Sequence, residues 1–315
     1  MIPQNWIEEA SVRIAPHIIH TPLNYAPESD LFLKWENHQV TGSFKVRGAF
    51  NKVLSLADWE RQKGLVAASA GNHGQGVALA GKQAGAPVII YASEQASPLK
   101  VEQMRLLGAD VRLVPGQYGD AERAGLAYAR QSGAAWISPY NDPQVIAGQG
   151  TLALEICQDL PPLPECTWVV PVGGGGLISG IGAALETVIP RPRLVGVQSE
   201  ASPFLHAQYH RGTQEGVVEL PSLADGLAGE VEPGSLTFSL VKQYADDFVL
   251  VSEAEIAGAV AFAWQQYSEK IEGAAACALA AVIHGKVKTR PAVVLITGGN
   301  IQPELHEKIA GSSGG

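Results

Sequence analysis

The sequence has little charge and almost no cysteine. Only 17% of its 315 residues are charged, and acids outnumber bases to give a net charge of -9. Nucleic acids and anionic membrane surfaces reward clustered Lys and Arg, so neither is expected as a partner. Cys157, Cys166 and Cys277 form an odd set at no metal-binding spacing. That excludes a disulfide framework and reads as buried thiols in a reducing compartment. The first residues, with Glu8, Glu9 and Arg13, lack the basic start and apolar core of a secretory signal. The longest apolar runs, such as residues 273–283, are too short to span a bilayer. A cytoplasmic enzyme is the expectation. What is abundant is apolar side chain, at 46%, and glycine, with 35 residues. The two together describe a compact α/β protein with many tight turns, long enough for one large or two ordinary domains.

Apolar runs alternate with helical stretches along most of the chain. A helix over 5–14 leads through Thr21-Pro22-Leu23 to a strand over 31–35, and a helix follows at 47–56. Strands over 65–68, 87–91, 110–114 and 134–137 then alternate with a helix that follows Ser69 to Gly74 and runs through Ala84, and with helices over 98–107 and 120–131. After Asn141-Asp142-Pro143 a second series begins, with strands over 167–172, 193–197, 248–251 and 293–297. Ser252-Glu253-Ala254-Glu255 reads as a capping box opening a helix, and another helix spans 272–284. Continuous apolar strands alternating with helices predict parallel sheets covered on both faces. The expected division is a small α/β domain over 45–141, a large domain from 1–44 with 142–310, and a flexible tail or expression remnant over 311–315.

Four stretches at strand ends carry chemistry, and in open parallel sheets ligands bind beyond the carboxyl ends of the strands. Lys45, within Ser43-Phe44-Lys45-Val46-Arg47-Gly48-Ala49, sits between an aromatic residue and a helix. An amine withdrawn from water has a lowered pKa and becomes a usable nucleophile toward carbonyls. Gly173, Gly174, Gly175 and Gly176 with Leu177 stand at a strand-to-helix turn, where converging amides and the positive end of the helix make a phosphate cradle. Their spacing fits neither the dinucleotide fingerprint nor the P-loop, which excludes NAD and ATP as the expected ligands. Ser69, Gly71, Asn72 and His73 offer a hydroxyl, an amide and an imidazole suited to a carboxylate or a ring hydroxyl. Thr297-Gly298-Gly299-Asn300 offers a neutral hydroxyl at a strand end.

These four motifs, in this order, resemble those of the pyridoxal-phosphate enzymes of the tryptophan synthase β fold, fold type II, and most closely the threonine/serine dehydratases. The likeness covers nearly the whole chain, including Ala147-Gly148-Gln149-Gly150-Thr151 and Leu223-Ala224-Asp225-Gly226-Leu227-Ala228. It implies a two-domain α/β protein that eliminates water from L-threonine and/or L-serine, releasing 2-oxobutanoate or pyruvate and ammonia. Lys45 would be the Schiff-base lysine and the general base at Cα. Gly173 to Gly176 with Leu177 would hold the cofactor phosphate, Phe44 would border the ring, and Asn72 would bind its phenolic oxygen. Thr297 would face the pyridine nitrogen, and Ser69, Gly71, Asn72 and His73 would bind the substrate carboxylate. Glu272 is expected near the cofactor, and the resemblance implies a homodimer or homotetramer.

Departures narrow the reading. Related serine racemases carry a serine before the Gly-Asn-His, whereas this chain has Ala70, so elimination is expected over racemisation. The acids of the family's divalent-cation site are missing from Gly196-Val197-Gln198-Ser199, and metal dependence is not expected, although Glu200 and Asp225 could contribute oxygens. Too few residues follow Asn300 for a C-terminal regulatory domain, which argues against feedback by isoleucine. The nearest alternatives are dehydration of another β-hydroxy amino acid such as 3-hydroxyaspartate, serine racemisation, and sulfide-using replacement chemistry. A rival of another class is a non-catalytic binder of phosphorylated metabolites.

Overall fold

In the computed structural model, residues 1–160, 163 and 165–311 are described. Among the described residues ten strands are arranged in two sheets: β1 (Leu23–Ala26), β2 (Leu31–Trp35), β3 (Leu65–Ala68), β4 (Val88–Ser93), β5 (Asp110–Val114), β6 (Ala135–Trp136), β7 (Thr167–Pro171), β8 (Arg193–Ser199), β9 (Asp247–Val251) and β10 (Ala292–Ile296). The larger sheet has the order β1-β2-β10-β7-β8-β9 and the smaller β5-β4-β3-β6. All pairs are parallel except β1 with β2. The central strands β3, β7 and β10 are buried at every residue, which is why they read as unbroken apolar runs. The two faces of the larger sheet pack separate cores, one on Trp168, Val170 and Leu295 and the other on Val169, Val195 and Val294.

Register places the functional turns. β2 and β10 run in step from Leu31↔Ala292 to Trp35↔Ile296, and β10 pairs with β7 from Ala292↔Thr167. The carboxyl ends of all three therefore lie at one edge. From that edge emerge the loop leading to Lys45, the turn at Thr297 and the glycine turn at Gly173.

Helix limits depart from expectation in instructive ways. The helix after the lysine loop spans Lys45–Ser55, so Lys45 is its first residue and not part of a preceding turn. Its N-cap residue, Phe44, is held by its amide to the Thr297 carbonyl at 3.1 Å, and that tertiary bond fixes the start. The capping box at Ser252 is present, with the Ser252 amide donating to Glu255 Oε2 at 2.7 Å. β1, the helices Phe204–Arg211 and Leu236–Tyr244 and the closing helix Pro303–Gly311 were not anticipated. Gly311 therefore belongs to a helix and not to a tail, and the rest of the expected tail lies outside the described residues. Cys166 and Cys277 are buried free thiols, while Cys157 is only half-buried. Among the described residues no helix is long and apolar enough to cross a membrane.

Candidate active site

The lysine loop is tied to the end of β10 by one bridge made of two backbone hydrogen bonds. Ser43 and Gly298 form this antiparallel bridge, in which the Gly299 amide donates to the Gly42 carbonyl at 3.0 Å and the Phe44 amide donates to Thr297. Lys45 thus stands beside Thr297 by construction. Its Nζ donates to the Pro139 carbonyl at 3.1 Å and lies 5.3 Å from the centroid of the Phe44 ring. Burial lowers its ammonium to about 8, against a smaller opposing pull from Glu272. A free amine is accessible near neutral pH, which is what nucleophilic and base chemistry require.

The glycine turn lies just beyond β7, and the helix Gly176–Ala184 runs back from it. The Ser179 amide bonds the Gly175 carbonyl at 3.1 Å, so the amides of Gly176, Leu177 and Ile178 have no intrahelical acceptor and face outward as donors. Gly175 adopts φ +88°, a conformation that a side chain would strain, and a Cβ there would lie 2.9 Å from Leu205. A Cβ on Gly174 would overlap the ring of Tyr140. The turn is a backbone cradle closed against side chains, suited to a phosphate at the positive end of a helix.

Ser69 and Gly71 follow β3, and the Gly71 amide donates to the Ser69 hydroxyl at 3.1 Å. Asn72 begins the helix Asn72–Gln83. Its Nδ2 donates to Glu272 at 2.7 Å, and its Oδ1 accepts from Asn300 at 2.7 Å, leaving one amide hydrogen free. His73 differs from expectation in its side chain. Its buried Nε2 donates to the Ile137 carbonyl at 2.8 Å, and burial lowers the imidazole to about 3. The ring is therefore neutral with the proton on Nε2, and what His73 offers a carboxylate is its backbone amide. Thr297 is buried beside the lysine loop.

Glu272 joins these elements. It stands at the N-cap position of the helix Gly273–Ile283, accepts from Asn72, and lies against Gly298, where a Cβ would overlap its carboxylate. Burial, with the Asp225 charge second, raises its carboxyl to about 7. A raised carboxyl contributes stability that is complete below its ordinary value and is lost as pH rises through the raised one. Glu272→Gln keeps the acceptor for Asn72 and cannot ionise. Relative to wild type it should gain on the order of 3 kcal/mol between about pH 5 and pH 8.5. Thermal unfolding at the two pH values checks this; an unchanged gap in Tm would show that Glu272 is already ionised at the lower pH.

The sequence reading missed Pro139 and Tyr140, which lie between β6 and the helix Pro143–Asp159 and touch both the lysine and the glycine turn. Only Tyr140, an aromatic in a polar turn, could have signalled them. Glu200 and Asp225, considered as cation ligands, instead face Lys286 at 3.7 Å and Lys100 at 3.0 Å. Among the described residues no group of three His, Cys, Asp or Glu side chains is placed to hold a metal ion.

The pyridoxal-phosphate dependent enzyme model matches residues 14–298. The chain belongs to that family. It is 44% identical to an L-threonine ammonia-lyase of Thermotoga maritima, over 98% of this chain and 78% of that protein. The structure of processed threonine deaminase isoform 2 from Solanum lycopersicum superposes with a TM-score of 0.87 at 29% identity, covering 99% of this chain and 94% of that one. Serine racemase from Dictyostelium discoideum superposes at 0.85 with 31% identity, covering 96% and 99%. The fold is that of the fold type II enzymes, and the residues present fit the cofactor of the family. A desolvated lysine, free helix-terminal amides behind a side-chain-free turn, and a neutral Thr297 stand at one sheet edge.

Proposed function

We propose that the protein is an ammonia-lyase that eliminates water from L-threonine and/or L-serine, yielding 2-oxobutanoate or pyruvate and ammonia. The observation that carries this reading is the depressed Lys45 amine facing the Pro139 carbonyl at the edge it shares with the glycine turn. Pyridoxal phosphate, when bound, supplies the carbonyl that captures the amino group and an electron-poor ring that acidifies Cα. Lys45 Nζ then takes the Cα proton as general base. The amides at the glycine turn would hold the phosphate, Phe44 would border the ring, and the free amide hydrogen of Asn72 would serve the phenolic oxygen. The Thr297 hydroxyl would face the pyridine nitrogen and, unlike a carboxylate, would not keep it protonated, which favours prompt loss of the β-hydroxyl. The Ser69 hydroxyl, oriented by the Gly71 amide, would bind the substrate carboxylate together with the amides of Asn72 and His73.

Ala70 has no transferable proton for the face opposite Lys45, which supports elimination over racemisation despite the likeness to the racemase. We place the enzyme in the cytoplasm as a homodimer or homotetramer, with a small lobe over 45–141. The deciding assay follows 2-oxo acid and ammonia from L-threonine, L-serine and L-threo-3-hydroxyaspartate, with chiral analysis of residual serine. Release of 2-oxobutanoate without D-serine is expected. D-serine would reassign the chain to racemisation, and reaction with 3-hydroxyaspartate alone would reassign its substrate.

A further inference from the structure

The short segment Ser138-Pro139-Tyr140-Asn141 runs between the two halves of the site. At one end the Pro139 carbonyl receives Lys45 Nζ. At the other, the half-buried Tyr140 ring lies on Gly174, and its backbone sits 3.0 Å from where a Cβ of Gly176 would be. The segment is fastened from both sides. The Asn141 amide bonds the Ser138 hydroxyl at 2.9 Å, and the Tyr140 hydroxyl accepts from the Glu232 amide at 3.2 Å. Asn141 donates to the Glu232 carboxylate at 2.8 Å and accepts from the Leu236 amide at 2.9 Å.

The two glycines of the turn differ in what they need. Gly175 requires its positive φ, whereas Gly174 has an ordinary backbone conformation, and the obstacle to a side chain there is the Tyr140 ring. An aromatic face pressed on bare backbone fixes that backbone through many short dispersion contacts, which a methyl group would push apart.

We propose that Tyr140 is a positioning residue for the phosphate cradle: its ring backs Gly174, and through Pro139 the same segment sets the spacing between the cradle and the Lys45 amine. This rests on the reading of Gly173 to Gly176 as the phosphate site. It assigns Tyr140 to cofactor affinity and registration, with no contact to the reacting atoms.

The test measures equilibrium binding of pyridoxal phosphate and of pyridoxal to the full-length protein by spectroscopic titration, with Tm followed in parallel. Tyr140→Ala should weaken pyridoxal phosphate by roughly tenfold or more while changing pyridoxal little, and Tyr140→Phe should restore binding to within about threefold. Gly174→Ala should weaken the phosphate ester in the Tyr140 background and add little in the Tyr140→Ala background, a coupling that a purely global packing role does not produce. If Tyr140→Ala does not fold, Tyr140→Leu carries the same comparisons. Equal loss of both ligands, wild-type affinity in the variant, or the same Gly174→Ala effect in both backgrounds would overturn the proposal. Wild type binding pyridoxal as tightly as its phosphate would instead remove the cradle reading itself, and the role of Tyr140 with it.

Discussion

Lys45→Ala should lower ammonia release from L-threonine by on the order of 10⁴-fold or more, because in the proposed mechanism one substitution removes both the covalent anchor and the general base. Nearby cations do not replace it. Lys100 is held by Asp225, and Lys34 is buried against the Thr21 carbonyl and Glu155. The glycine turn does not depend on Lys45 for its shape, since Gly174 and Gly175 are packed by Tyr140, Leu205, Thr237 and Val241. The variant should therefore still take up pyridoxal phosphate, now extractable after borohydride treatment, while in wild type borohydride fixes the cofactor to the chain. Separate readings of turnover and of cofactor retention distinguish lost chemistry from lost binding. Turnover in the variant within tenfold of wild type would remove Lys45 from the mechanism.

Arg47→Met should be the most destabilising single change near the site. The Arg47 guanidinium is fully buried, with Nε and one terminal nitrogen donating to Glu36 at 2.7 Å each. The terminal nitrogens also donate to Glu155 at 2.7 and 2.9 Å, and one reaches Thr151. Burial alone would raise Glu155, yet Arg47 and Lys34 outweigh it and hold that carboxyl below its ordinary value. Removing the cation leaves Glu36, itself inaccessible to solvent, without its partner. Breaking a buried pair on one side costs about 3–5 kcal/mol. For a protein of this size that corresponds to a fall in Tm of roughly 5–8 °C. The double variant Arg47→Met with Glu36→Gln should recover part of the loss, since the uncompensated charge goes with the carboxylate. A Tm within 2 °C of wild type, on the scale of a surface substitution, would mean that water reaches Glu36.

The chemical groups of the site were legible in the sequence because each is a local signal. A run of glycines after an apolar strand, a lysine between an aromatic residue and a helix, and a threonine closing a strand keep their meaning whatever surrounds them. Buried parallel strands were legible for the same reason: with both faces covered, nearly every side chain must be apolar. The short antiparallel strand β1 was not, since Leu23–Ala26 is exposed at two of its four positions and carries no run of apolar side chains. The helix Leu236–Tyr244 is anchored by a bond to Asn141, nearly a hundred residues away, that no local pattern records.

By itself, then, the sequence determined the alternation of strands and helices, the glycine turn and the setting of the lysine, since these follow from periodicity and backbone chemistry within a few residues. Only the tertiary structure decided their electrostatic state and their mutual placement. His73 is neutral because burial, with the Lys45 charge second, outweighs its bond to the Ile137 carbonyl, and Glu272 is pushed up to about 7 because the fold withdraws it from water beside Asp225. Arg47 carries a charge into the interior because Glu36, 11 residues away, and Glu155, 108 residues away, are brought against it. Tyr140 backs the glycine turn because the link from the smaller sheet passes between the lysine and the cradle. Solvation and proximity belong to the packed chain, where residues far apart in sequence share one dielectric environment.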